Sequence, residues 1–207
     1  MCVRVAEMGK GAEKARGLFL DHGGILRSSE ARSLGIHPET ISRMARAGLL
    51  DKEGRGLYRL AEIEPGGNAD LIQVAKLVPQ GVVCIISALS FHGLTTEIPY
   101  RVYIALPQGT KKPKLTYPPL KVVWLSGEAY SSGIDRHELD GVQVPIYCRE
   151  KTVADCFKFR GKLGTDIAIE ALRDYLQLAD RNLDELLRFA RIDRVEKAMR
   201  PYLEALL

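Results

Sequence analysis

The residues of this chain best suited to chemistry are arginines interleaved with serine, threonine and glutamate on one short stretch. Phased at 100° per residue, Pro38–Ala47 gathers Ile41, Met44 and Ala45, with Gly48 beyond them, on one side. Glu39, Arg43 and Arg46 fall opposite, flanked by Thr40 and Ser42. A narrow apolar stripe backed by arginines suits a helix that packs by one side and enters a DNA major groove by the other. On that reading Arg43 and Arg46 are the candidates for guanine O6 and N7, and Glu39 for accepting from cytosine N4. Thr40 and Ser42 reach phosphates or bases, while Arg32 and Lys52 are phosphate contacts that set the register. Arg55 tracks a phosphate or dips into the minor groove. Arg59 is ambiguous, because strand alternation turns it toward solvent or toward DNA. For any one of these arginines a solvated surface is the simpler account. The ordered set of elements around them favours DNA.

Those elements occupy Gly24–Leu60. A short helix starts at Ser28 or Ser29, whose hydroxyls serve as caps, and stops at Gly35. His37 precedes a proline and is pushed toward the extended conformation of an N-cap, and Pro38 fits the first helical position. Gly48-Leu49-Leu50 ends that second helix. The glycine-rich turn Lys52–Gly56 then leads into Leu57-Tyr58-Arg59-Leu60, a β-hairpin whose tip carries Arg55. An earlier helix, about Glu13 to Leu20, offers Leu18 and Phe19 to the same core. The sum is a winged helix-turn-helix, assigned to residues 11–62.

The expected boundary lies in AEIEPGGN (Ala61–Asn68), which is rich in turn formers, and the second domain spans 69–207. There we expect a helix over Ala69–Val78, a buried strand at Val82–Ile86, a helix capped by Ser87, and strands at Arg101–Leu106 and Lys121–Leu125. Asp140-Gly141 marks a hairpin between Ile134–Leu139 and Val142–Tyr147, with Pro145 demoting its second strand to an edge or a bulge. Helices follow: Lys151–Phe159, one capped by Thr165 or Asp166, one capped by Asn182, and a last one interrupted by Pro201. The fold class is therefore α+β: a winged helix-turn-helix, then mixed strands, then a helical segment.

The 207 residues are 46% hydrophobic and 27% charged, an ordinary globular composition, with a net charge of +4. Residues 1–62 contain 11 Lys/Arg and 8 Asp/Glu, a mild basic bias that agrees with phosphate contacts. Cys2, Cys84, Cys148 and Cys156 form no CxxC pair and do not cluster with His22, His37, His92 or His137. Reduced thiols and a cytoplasmic protein are expected, with no signal peptide and no membrane span. In the second domain Lys111, Lys112 and Lys114, in a loop with Tyr117, make a basic patch able to hold RNA, DNA or an acidic partner, or simply to stay solvated.

An enzyme finds little support. Ser132-Gly133-Ile134-Asp135 has the wrong order for a nucleotidyltransferase and lacks Asp-x-Asp. Glu150-Lys151 sits at a helix start, where Glu150 favours the dipole, and no phosphate-binding GxxxxGK[ST] loop occurs. His92, beside Phe91, is read as a packed core group, and His137 as solvated in a polar hairpin. No catalytic residue, cofactor or metal is expected.

The runs ISALSFHGLTTEIPYRVYIALPQGTKKP (Ile86–Pro113) and PIYCREKTVADCFKFRGKLGTDIAIEALRDYL (Pro145–Leu176), following the winged-helix segment, resemble the AbiEi family of bacterial antitoxins. The likeness runs from about Gly17 to Leu207. It implies a type IV toxin–antitoxin system linked to abortive phage infection and to maintenance of mobile DNA. In such a system the N-terminal domain represses its own operon, and the C-terminal domain is required to counter a nucleotidyltransferase-like AbiEii toxin. Repressors of this kind often dimerise on inverted repeats. The alternative is a winged-helix regulator whose second domain senses or binds another partner, with no toxin.

Overall fold

The structure, a computed structural model, describes residues 9–207. Cys2 and nearly all of the lead-in expected before Gly11 lie outside the described residues. The chain forms two compact units.

The first unit runs to Pro79 and includes Glu138–Gln143. Its elements are α1 (Lys10–Leu20), β1 (Ile25–Arg27), α2 (Ser28–Ser33), α3 (Pro38–Arg46), β2 (Leu50–Gly54), β3 (Leu57–Leu60) and α4 (Ala69–Leu77). The three strands form an antiparallel sheet in the order β1-β3-β2. Ala15, Phe19, Leu26, Ala31, Met44 and Leu60 fill the core beneath it, each at most 2% exposed. Burying side chains of the larger types contributes about 1.5–3 kcal/mol each. Leu18 packs against that core from its margin.

Three details differ from expectation. β1 has no signature of its own in the sequence: three residues are too few to show alternation, and the strand exists because Ile25, Leu26 and Arg27 pair with Arg59, Tyr58 and Leu57. The cap of α2 is Arg27, whose amide donates to Glu30 Oε2 at 2.8 Å. Ser28 is already helical, and its hydroxyl donates to the Gly56 carbonyl at 3.2 Å instead of capping. Finally, the unit continues past the expected boundary at 62–69. Ile72 and Val74 of α4 are buried, Gln73 Nε2 donates to the Glu53 carbonyl at 2.5 Å, and Lys76 pairs with Glu30 at 3.2 Å.

The second unit comprises Gln80–His137 and Val144–Leu207. It contains β4 (Val82–Val83), α5 (Ile85–His92), β5 (Val102–Pro107), β6 (Leu120–Leu125) and α6 (Glu128–Ser131). The hairpin strands β7 (Ile134–Leu139) and β8 (Val142–Tyr147) follow, their turn-proximal residues 138–143 counting with the first unit, then α7 (Arg149–Lys158), α8 (Arg160–Leu163), α9 (Thr165–Leu176), α10 (Leu183–Ile192) and α11 (Glu196–Leu206). The sheet order is β6-β5-β4-β8-β7, with β4 antiparallel to β5 and parallel to β8, and β5 parallel to β6. Helices α5, α7, α9, α10 and α11 pack a core around Leu89, Tyr147, Phe157, Leu172 and Met199. The protein is a mixed α+β fold.

The expected strand Val82–Ile86 shrinks to two residues. Ile85 adopts φ 50°, a conformation costly for a β-branched side chain, and turns the chain into α5. Ser87 therefore lies inside that helix and is no cap: its Oγ accepts the Tyr103 amide at 2.9 Å and ties α5 to β5. Asp140 and Gly141 both take positive φ, as the hairpin dipeptide requires. Pro145 does not make β8 an edge, since β7 takes that place. β8 meets the short β4 only at Ile146, so the missing amide disrupts little. The cap of α9 is Gly164, one residue before Thr165, whereas Asn182 caps α10 by accepting the Glu185 amide at 3.1 Å. Pro201 is accommodated within α11.

Candidate nucleic-acid interface

The helix-turn-helix is set by two matching C-termini. After α2, the Ile36 amide donates to the Ala31 carbonyl at 2.9 Å and Gly35 to Arg32 at 3.0 Å. After α3, Leu49 donates to Met44 at 2.9 Å and Gly48 to Ala45 at 3.1 Å. Both are Schellman closures, and both need a left-handed residue at the position where Gly35 (φ 82°) and Gly48 (φ 70°) stand. At the other end of α3, His37 is extended (φ −67°, ψ 138°) and its Nδ1 accepts the Glu39 amide at 3.2 Å. The start, the stop and the preceding turn of α3 are thus all locally encoded.

Once α3 is clamped, its phase decides what it shows. Ile41 and Met44 are 4% and 1% exposed, and α3 packs on α1, α2 and β2. Glu39, Ser42, Arg43 and Arg46 are exposed, and Thr40 is half-buried at the margin. Arg46 Nη2 donates to Glu39 Oε1 at 2.9 Å, with both side chains largely in solvent. Arg32, on α2, is also exposed.

The wing is the β2–β3 hairpin. Its register shifts between Lys52 and Gly54, and Arg55-Gly56 forms the tip, with Arg55 exposed. Lys52 is exposed within β2, opposite Tyr58 on β3, and Leu57 is fully buried. Arg59 is a correction. Its guanidinium is not presented outward: the side chain is 14% exposed, pairs with Glu53 and donates to the Ile63 carbonyl at 2.6 Å. Arg59 lies on the same face of β3 as the fully buried Leu57, and Glu53 draws its guanidinium inward.

Residues 13–61 match the family described as transcriptional regulator, AbiEi antitoxin. The matched segment runs from within α1 through β3 and includes every candidate operator contact on α2, α3 and the wing. Among solved structures, the RV2827C protein from Mycobacterium tuberculosis is similar, with a TM-score of 0.60 at 14% identity. The match covers 96% of this chain and 82% of that one, and it shows a shared fold. Comparison with curated proteins finds no match.

Outside the matched segment, the second unit holds an ionic group that sequence reasoning missed. Lys151 and Asp155 are fully buried and paired, and Lys151 Nζ also reaches Asp193 Oδ2 at 3.1 Å. Lys158 pairs with Asp193 Oδ1 at 3.0 Å, and the Lys151 ammonium lies 4.9 Å from the centre of the Tyr147 ring. Burial pushes the Asp155 carboxyl up to about 8, against the pull of Lys151. Burial alone would lower Lys151, but Asp155 and Asp193 outweigh it and raise the ammonium. Burial also raises the thiols of Cys84, Cys148 and Cys156, Cys148 to about 12. This network ties α7 to the end of α10 as a structural clasp. The i, i+4 spacing of Lys151 and Asp155 was visible in the sequence, but Asp193 was not legible as their partner.

The two histidines diverge. His92 Nε2 donates to the Tyr147 carbonyl at 2.7 Å, as a packed core group would, and burial lowers its basicity. His137 is not simply solvated, because Phe91 covers its ring at 4.7 Å between centroids and its Nε2 is buried without a partner. Among the described residues no group of three or more His, Cys, Asp or Glu is placed to hold a metal ion. None of their helices is long and apolar enough to cross a membrane.

Proposed function

We propose that the protein binds double-stranded operator DNA by laying α3 in the major groove, and that it acts as the autorepressing antitoxin of a toxin–antitoxin operon. The observation that carries this reading is the exposure of Arg43 and Arg46 opposite buried Ile41 and Met44, within a segment matching an antitoxin regulator family. Arg43 and Arg46 read guanine edges, Ser42 and Thr40 meet bases or phosphates at the groove wall, and Glu39 accepts from a cytosine amine. Arg32 and Lys52 hold phosphates, and Arg55 at the wing tip follows the backbone into the neighbouring minor groove. Arg59 has no part in it, being committed to Glu53 and Ile63. Two copies occupy inverted repeats, and the C-terminal part of the chain is required to counter a nucleotidyltransferase-like toxin in the cytoplasm. The resemblance supports that last step, and no single residue of the structure carries it.

The test is binding of the full chain to DNA from upstream of its own gene, against unrelated duplex, at several salt concentrations. A sequence-specific complex that the Arg43→Ala/Arg46→Ala variant loses is the expected result. Binding indifferent to sequence, or unchanged in that variant, would remove α3 from the groove.

A further inference from the structure

The strongest concentration of charge in the chain lies outside the winged helix. Ile98–Gly127 carries Arg101, Lys111, Lys112, Lys114 and Lys121 and no Asp or Glu, a charge of +5 in a chain whose total is +4. None of the four lysines has an ion-pair partner within 4.0 Å among the described residues, and all four are exposed. Exposed aromatic rings are interleaved with them. Tyr100, Tyr117 and Trp124 keep 74%, 59% and 39% of their surface in solvent.

The topology brings these residues onto one edge of the second unit. β6 is the last strand of its sheet and runs parallel to β5, so residues 108–119 must cross back from the end of one strand to the start of the other. At the far end of β6, Trp124 Nε1 donates to the Thr110 carbonyl at 2.8 Å, which sets Lys111 and Lys112 next to the indole. At the near end, the Val102 amide donates to the Pro119 carbonyl at 2.9 Å, which brings the Tyr100 and Tyr117 segments together. Tyr100 is braced there by Arg101, stacked on its ring at 4.3 Å. Lys114 lies on the stretch between the two ends. The result is a track with aromatic rings at both ends and lysines along it.

We infer that this edge binds single-stranded nucleic acid. Rings offer stacking platforms to unpaired bases, and the lysines follow the phosphates between them. A duplex keeps its bases stacked on one another and has no use for the rings, and an acidic polypeptide would use the lysines alone. The surface belongs to the second unit, and the inference does not rest on the proposed operator-reading helix.

The experiment is fluorescence anisotropy of the full chain, carrying Arg32→Ala/Arg43→Ala/Arg46→Ala/Lys52→Ala/Arg55→Ala to silence α3 and the other proposed duplex contacts, with labelled 15-mers of oligo-U and oligo-dT. A duplex 15-mer and a poly-glutamate 15-mer are the comparisons. Both single strands are expected to bind, RNA and DNA ranked by the result, with affinity falling as salt rises. Tyr100→Ala and Tyr117→Ala should each weaken binding roughly 5- to 100-fold. Lys111→Gln/Lys112→Gln/Lys114→Gln should weaken it and flatten the salt dependence by about 2 in the log–log slope. Unchanged far-UV circular dichroism confirms that each variant is folded. Equal binding of poly-glutamate, equal binding of duplex, or indifference to both sets of variants would overturn the assignment. Any of these outcomes leaves the operator-binding proposal standing, since all the proposed operator-contacting cations are already removed in the protein used.

Discussion

Glu39 and Arg46, two helical turns apart on α3, hold each other across its exposed face through a 2.9 Å hydrogen bond. The same two residues are candidates for reading bases. The free protein therefore presents Arg46 engaged, and DNA must draw it away from a carboxylate. An exposed pair of this kind is worth about 0–1 kcal/mol. Glu39→Gln is thus expected to tighten binding to any duplex by roughly 2- to 5-fold, while loosening discrimination at the cytosine it faces. Titration of parent and variant against operator and unrelated duplex measures both effects. An unchanged affinity for unrelated duplex would show that the pair does not hold Arg46 back.

Arg59 separates stability from recognition. Arg59→Ala leaves the half-buried Glu53 carboxylate and the Ile63 carbonyl without their donor. The expected loss is about 1–3 kcal/mol of folding stability, read from urea unfolding. At equal folded protein, duplex affinity should stay within about twofold. A large loss of affinity with no loss of stability would return Arg59 to the DNA face.

The clasp around Lys151 gives a sharper stability test. Lys151→Met strands Asp155 and Asp193 in the interior and is expected to cost about 3–5 kcal/mol. Adding Asp155→Leu removes one orphan, and Lys158 still reaches the other, so the double variant should recover most of the loss. If the double variant is no more stable than the single, the carboxylates are not what Lys151 serves.

Asp155 also sets a pH dependence. Burial raises its carboxyl from an ordinary 3.8 to about 8, so between those values the folded state holds a proton that the unfolded chain has released. Folding stability from this group is complete below about pH 4 and declines as pH rises toward 8. Urea midpoints of parent and Asp155→Asn at pH 5, 6, 7, 8 and 9 should converge differently: the parent loses ground with rising pH relative to the variant. Parallel profiles would mean that Asp155 is charged in the folded protein throughout.

What could be read from the sequence was what neighbours in the chain decide. α3 is enclosed by His37-Pro38 and Gly48, its apolar stripe has a helical period, and Asp140-Gly141 dictates its own turn. What escaped depended on distant partners. β1 needs β3, Ser28 turns to Gly56, Ser87 to Tyr103, and Lys151 to a carboxylate 42 positions away. A β-branched run such as Val82–Ile86 reads as strand until a strained Ile85 bends it into a helix. Of the candidate site, the outward residues of α3 and the wing tip were legible. Arg59 was not, since only folding brings Glu53 and Ile63 around it.

The turn at Glu138–Gln143 belongs to the first unit and sits close against it: a Cβ on Gly23 would stand 1.9 Å from the Asp140 carbonyl oxygen. That unit is consequently unfinished when the ribosome has made Pro79, and its last piece emerges 64 residues later (143 − 79). At about 5–20 residues per second, roughly 3–13 s of translation separate the two. A nascent chain thus carries its helix-turn-helix for several seconds before the surface at Gly23 is covered. A fragment cut at either the 61–68 stretch or Pro79 would keep that surface bare permanently.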